Sequence, residues 1–165
     1  MDFERFPEIA AASKKALVQA IDEIIARDLP DIDALVEQTE QQVWKEVDCT
    51  ACAICCKTMS PVLTQEDINR IALYLRLKPK DFQKKYLIKE GDTGNWVNNA
   101  TPCVFLNDNL CTIYGVRPDD CAGFPHHDKR PFAEYAGTYR KNINRCPATF
   151  RLIERLKEAT DAPDS

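Results

Sequence analysis

Cys49-Thr-Ala-Cys52-Ala-Ile-Cys55-Cys56 packs four of the chain's eight cysteines into one short stretch. Thiolates are soft donors suited to zinc and to iron–sulfur clusters. A Cys-x-x-Cys turn lets two of them converge on one ion while neighbouring amides point hydrogen bonds at the sulfurs. Cys103, Cys111, Cys121 and Cys146 complete the set, each flanked by turn or rigid residues rather than by long apolar runs. Eight thiols suffice for two four-coordinate sites, so all eight are candidate metal ligands. The side chains of Cys55 and Cys56 are expected to diverge, leaving one of the two to face a second site or none.

The run Cys49-x-x-Cys52-x-x-Cys55 resembles the ligand run of small ferredoxins, where three cysteines hold three corners of a [4Fe–4S] cluster and a distant Cys-Pro supplies another ligand. Cys146-Pro147 is a matching distant pair. That spacing favours an iron–sulfur cluster, of the 4Fe–4S kind, over tetrahedral zinc, although both want thiolates. His126 and His127 are read as surface-loop residues outside the ligand set, because enough thiols already exist. His127→Ala is therefore expected to change neither metal content nor stability. Cys121 near His126 is the sequence-local candidate for an imidazole-assisted nucleophile, and the weaker reading of that cysteine. A phosphate-cradling glycine loop, an HExxH helix and a dinucleotide fingerprint are all absent. No catalytic residue is assigned, and whether the protein is an enzyme stays open.

These residues need a scaffold, and 165 residues allow one domain with an apolar core of its own. The opening Met1-Asp-Phe-Glu-Arg-Phe-Pro7 lacks the basic and apolar regions of a secretory signal, and no stretch is long and apolar enough to span a bilayer. A cytoplasmic location without membrane contact is expected, and there thiols serve metal or redox chemistry rather than a static disulfide framework. The net charge of −4 hides an asymmetry, with six basic and fourteen acidic side chains in residues 1–67 against eight and three in residues 126–157. A basic face of this kind is more often solvated than bound to nucleic acid, which is not the expected partner.

Leu17, Ala20, Ile21, Ile24 and Ile25 share one side of an amphipathic helix over residues 8–27. Leu29-Pro30 stops it, and Asp31 is placed to cap a second helix carrying Ile32, Leu35, Val36, Val43 and Trp44. The two form a helical hairpin leading to Cys49. Thr64-Gln-Glu-Asp67 has capping-box character and opens a helix with Ile68, Ile71, Ala72 and Leu75 on one face. Pro79 suits the first turn of a shorter helix through Phe82 and Tyr86. Gly91 and Gly94 predict an irregular loop containing Trp96, Asn98 and Asn99. Asn107-Asp-Asn109 predicts a β-hairpin that brings Cys103 and Cys111 together. Pro118 opens a helical turn before Cys121, and Cys146 precedes a helix bearing Phe150, Ile153 and Leu156, whose dipole would favour its thiolate.

The ordered set Cys49-x-x-Cys52-x-x-Cys55-Cys56, Leu63-Thr64, Pro102-Cys103-Val-Phe-Leu106, Cys111-Thr-Ile-Tyr114, Arg117-Pro118, Cys121, Phe124-Pro125 and Cys146-Pro147 resembles the YkgJ-type cysteine-cluster family of zinc- or iron-chelating CxxCxxCC proteins. The resemblance covers about residues 49–147. It implies metal chelation, often described as iron–sulfur, with no settled reaction, and flagellin lysine methylases look related through this cluster. The chain departs from the family pattern at Ala53, where glycine is common, and at Ala122, where a basic residue commonly follows the cysteine.

The expected fold is mainly α: a small single domain with a helical hairpin, a cysteine-rich irregular metal-binding centre and room for one short β-hairpin. Residues 1–47 form the hairpin, 48–147 the cysteine-cluster region, and 148–165 a C-terminal helix and acidic tail. The expected function is metal binding, as an iron–sulfur cluster for electron transfer or redox sensing. Alternatives are a zinc-held structural module that binds a protein partner, and a metal-dependent enzyme.

Overall fold

The computed structural model describes residues 2–161 and is mainly helical. In chain order the helices are α1 (Phe6–Ala26), α2 (Ile32–Glu46), α3 (Cys49–Cys52), α4 (Ile54–Thr58), α5 (Gln65–Tyr74), α6 (Pro79–Tyr86), α7 (Asp119–Gly123), α8 (Ala136–Asn142) and α9 (Pro147–Asp161). The strands are β1 (Val62–Leu63), β2 (Leu87–Lys89), β3 (Trp96–Asn98), β4 (Leu106–Asn107) and β5 (Leu110–Cys111). None of these helices is long and apolar enough to cross a membrane. The acidic tail expected to follow α9 lies outside the described residues. The chain forms two compact units, Met1–Cys49 with Pro125–Ser165, and Thr50–Phe124.

The first unit is built by helix packing. Leu17, Ala20, Ile21 and Ile24 line the buried face of α1, at the spacing that keeps side chains on one stripe. Val36 and Val43 do the same on α2. Both helices pack chiefly against α9, whose Phe150, Leu152, Ile153 and Leu156 are buried. Phe6 and Phe150 meet edge to face with ring centroids 5.7 Å apart. Asp31 precedes α2, but its side chain makes no capping hydrogen bond. The charge asymmetry of the sequence has a local outlet here: Arg140 pairs with Asp22, and Arg151 and Arg155 pair with Glu46.

The second unit has a smaller core of Leu63, Ile68, Ile71, Ala72, Phe82, Leu87, Phe105 and Ile113. The capping box is complete, since Thr64 Oγ1 accepts from the Asp67 N–H at 3.1 Å and Asp67 Oδ2 accepts from the Thr64 N–H at 2.9 Å. The loop expected after Gly94 is instead partly a strand: β3 is the centre of an antiparallel sheet in the order β1-β3-β2, with Val97 opposite both Val62 and Ile88. Its three residues are too few for a period-two pattern to stand out from the polar Asn98 and Asn99. β4 and β5 form the expected hairpin, pairing Leu106 with Cys111. Asp108 and Asn109 turn the chain at φ 45° and 65°, the left-handed conformations a two-residue turn demands and Asp and Asn tolerate.

Candidate metal centre

Six of the eight candidate cysteines lie in the unit Thr50–Phe124, on three separate pieces of chain. Cys52, Cys55 and Cys56 sit on the short helices α3 and α4, Cys103 and Cys111 lie before and within the β-hairpin, and Cys121 is on α7. Specific bonds hold the pieces in place. The Cys103 N–H donates to the Cys56 carbonyl at 2.8 Å, and Asn109 Nδ2 donates to the Ala51 carbonyl at 3.3 Å. The Val62 N–H donates to Asp120 Oδ2 at 3.1 Å, fixing α7 against β1.

Asp67 completes the scaffold. Its carboxylate, fully buried as a side chain, accepts from the Asp119 N–H at 3.1 Å and pairs with Arg70, which itself donates to the Arg117 carbonyl at 3.0 Å and to Asp119 Oδ1 at 2.8 Å. Burial works against its charge, but hydrogen bonds from Thr64, Asp119 and Arg70 outweigh that and hold the carboxyl below its usual range. One capping residue thus positions the start of the helix that carries Cys121.

Cys55, Cys56, Cys103 and Cys121 border one cavity of about 70 Å³, whose lining Met59, Ser60, Pro61, Asp120 and Phe124 complete. A neighbouring smaller cavity is bordered by Cys103, Cys111 and Cys121. The expectation that Cys55 and Cys56 diverge is corrected. Their sulfurs are 4.0 Å apart and both residues border the larger cavity, because successive residues of α4 stand only a third of a turn apart.

The thiols of the cluster resist ionisation. The Cys55 contact and burial push the Cys56 thiol far up, and burial pushes up Cys52, Cys103 and Cys111 and takes Cys121 to about 12. Thiolate charge on Cys56 would further disfavour ionisation of Cys103, Cys111 and Cys121, so these four sense one another. Asn98 Nδ2 donates to Cys103 Sγ at 3.3 Å, and the backbone N–H groups of Ile54, Phe105 and Ile113 favour the thiolate forms of Cys52, Cys103 and Cys111. Among the described residues no three His, Cys, Asp or Glu side chains form a finished metal-binding set. None of the eight cysteines is in a disulfide. The donor chemistry nonetheless fits a thiophilic metal, since a cation would relieve repulsion among thiolates that are already supplied with hydrogen-bond donors.

Ala53, between Cys52 and α4, is buried at φ 49°. Glycine adopts that left-handed conformation without strain, which gives a physical reason for the glycine that the family resemblance expects there.

Cys49 and Cys146 belong to the other unit, where Cys49 disfavours ionisation of Cys146. Cys146 lies immediately before α9, as its sequence position suggested. The N–H groups of Ala148 and Thr149 and the Thr149 hydroxyl favour its thiolate, yet burial outweighs them and takes the thiol to about 11. His127 is not a surface residue: it is 2 % exposed, with Nε2 2.9 Å from Thr149 Oγ1 and Nδ1 3.3 Å from Glu40 Oε1. Its ring stacks on Tyr139, and its backbone carbonyl accepts from the Tyr139 hydroxyl at 3.2 Å. Sequence reasoning missed this network because Glu40, His127 and Thr149 are distant in sequence and share no motif.

A family model described as "Putative zinc- or iron-chelating domain", with the signature CxxCxxCC, matches residues 48–147. An uncharacterized protein of Methanocaldococcus jannaschii is 32% identical over 81 residues, covering 47% of this chain and 43% of its own length. The chain thus spans less than half of that relative. No solved structure matches.

Proposed function

The chain belongs to the CxxCxxCC family of zinc- or iron-chelating domains, and from metal binding as the premise we propose that it holds an iron–sulfur cluster used for electron transfer or redox sensing. The observation that carries this reading is the cavity bordered by Cys55, Cys56, Cys103 and Cys121, whose remaining wall is largely apolar. Cys52 and Cys111 are the further thiolates of that unit, and Cys49 and Cys146 those of the other. When bound, a cluster of this kind supplies one-electron exchange at a potential set by hydrogen bonds to its sulfurs, net charge and solvent exposure.

The chain's own groups bear on each of those settings. Asn98 donates to the Cys103 sulfur, and the backbone N–H groups of Phe105 and Ile113 favour the thiolates of Cys103 and Cys111. Met59, Pro61 and Phe124 limit water at the cavity. Lys57 is the cation whose charge favours thiolates at Cys52 and Cys56.

Protein purified without oxygen is expected to contain iron and acid-labile sulfide, to absorb broadly in the visible, and to give an electron paramagnetic resonance signal in one oxidation state. Zinc without sulfide would overturn the redox reading and leave a thiolate-held zinc module.

A further inference from the structure

The outward side of α6 is a lysine face, and we infer that it is the docking surface for an acidic one-electron carrier protein, with Cys103 as the nearest point of the cysteine cluster. The inference rests on the iron–sulfur reading above.

Residues 76–89 carry Arg76, Lys78, Lys80, Lys84, Lys85 and Lys89 against one carboxylate, Asp81. Phe82 is fully buried and Tyr86 half-buried, so these two turn one side of α6 to the core. Lys80 and Lys84, one turn apart, stand on the opposite side and are exposed, as is Lys85. In the helical unit Arg140, Arg151, Arg155 and Lys157 each pair with a carboxylate. Among the described residues Arg76, Lys78, Lys80 and Lys84 form no ion pair. Like charges held side by side repel, and a partner surface rich in carboxylates relieves that repulsion while steering the encounter.

Two short routes connect this face to the cysteine cluster, both within Thr50–Phe124. In the first, Lys85 Nζ lies 4.9 Å from the centre of the Tyr86 ring, and that ring meets Phe105 with centroids 5.0 Å apart. Phe105 is two residues from Cys103. In the second, Asn99 donates from its backbone N–H to the Tyr86 carbonyl at 3.0 Å and from Nδ2 to the Lys85 carbonyl at 2.9 Å. Its neighbour Asn98 donates to Cys103 Sγ at 3.3 Å. Adjacent residues of β3 and the turn after it thus hold the end of the lysine helix and a sulfur of the larger cavity's border.

The partner gains the one electron that the reduced protein loses, or returns it in the reverse direction. Small, weak interfaces suit such redox encounters, and charge serves their on-rate more than their affinity. A nucleic acid fits the face less well. The Tyr86 and Trp96 rings are covered by Lys85 and Lys89 rather than open to bases, and Asp81, Glu90 and Asp92 interrupt the track that phosphates would follow.

The test measures where electrons leave. Anaerobically reduced protein, shown first to contain iron and sulfide, is mixed by stopped flow at low ionic strength with ferricyanide, an anionic oxidant, and with tris(phenanthroline)cobalt(III), a cationic one. Lys80→Glu/Lys84→Glu is expected to slow oxidation by ferricyanide about 10-fold, to speed oxidation by the cobalt complex, and to leave iron and sulfide content unchanged. Lys80→Gln/Lys84→Gln should act in the same direction by less, and decides the matter if the double reversal does not fold by circular dichroism. Lys14→Glu/Lys15→Glu, the same charge change on exposed residues of α1, should alter neither rate. Equal effects of the two lysine pairs, or no effect at Lys80 and Lys84, overturn the face. Electron exchange with flavodoxin, a small acidic one-electron protein, should fall in the same variants and with added salt; exchange that is absent, or indifferent to the variants, overturns the protein partner. Duplex DNA or phosphatidylserine vesicles retained by the unaltered protein and lost by Lys80→Glu/Lys84→Glu at physiological ionic strength would also overturn it. Zinc without sulfide removes the redox reading beneath the inference before any rate is measured.

Discussion

The two units solve the problem of stability differently. In Met1–Cys49 with Pro125–Ser165, α1 and α2 bury aliphatic stripes against α9. In Thr50–Phe124 the strands are two or three residues long, the apolar core is small, and six thiols occupy space where a conventional domain would place hydrocarbon. The helical unit is held by burial of apolar area, and the thiol-lined unit has less of it. The contrast teaches that six of the eight cysteines gather where apolar burial is least, which is where a bound metal would add most to stability.

Metal removal should separate the units most sharply. Stripping metal with a chelator, or replacing Cys121 or Cys52 with Ser, is expected to lower metal content and to raise amide hydrogen exchange most across Thr50–Phe124 and least in α1, α2 and α9. Equal exchange throughout would break the comparison.

A pH titration of the metal-free protein should sharpen it further. The Cys121 thiol rises from an ordinary value of 9.0 to about 12 in the fold. The folded state therefore holds its proton more tightly than the unfolded state. The stability this contributes is complete below pH 9 and is lost as pH rises toward about 12. Denaturant melts at pH 8 and pH 10.5 should show the loss, and metal-loaded protein should resist it.

In the helical unit, Phe150→Ala deletes a buried ring and should cost about 3–5 kcal/mol by chemical denaturation. His127→Ala, which sequence reasoning expected to be silent, should cost about 1–3 kcal/mol, because it strands the buried Thr149 hydroxyl. The smallest effect is expected at Ala53→Gly, which relieves a left-handed alanine and should stabilise the cysteine-rich unit by about 1 kcal/mol.

Much of the scaffold was legible because it rests on local rules. The stripe at Leu17, Ala20, Ile21 and Ile24, the capping box at Thr64 and Asp67, and the Asp108-Asn109 turn each follow from side-chain chemistry acting within a few residues. β3 was illegible because a three-residue strand is specified by partners on either side, not by its own pattern. The CxxCxxCC signature, and with it the metal-binding chemistry of the family, was legible from residue type and spacing, since soft donors select their metals whatever the fold. Only the tertiary structure decided that Cys55 and Cys56 border one cavity with Cys103 and Cys121, and that His127 is buried between Glu40 and Thr149. Those neighbours are set by the packing of elements far apart in the chain, and sequence separation carries no information about them.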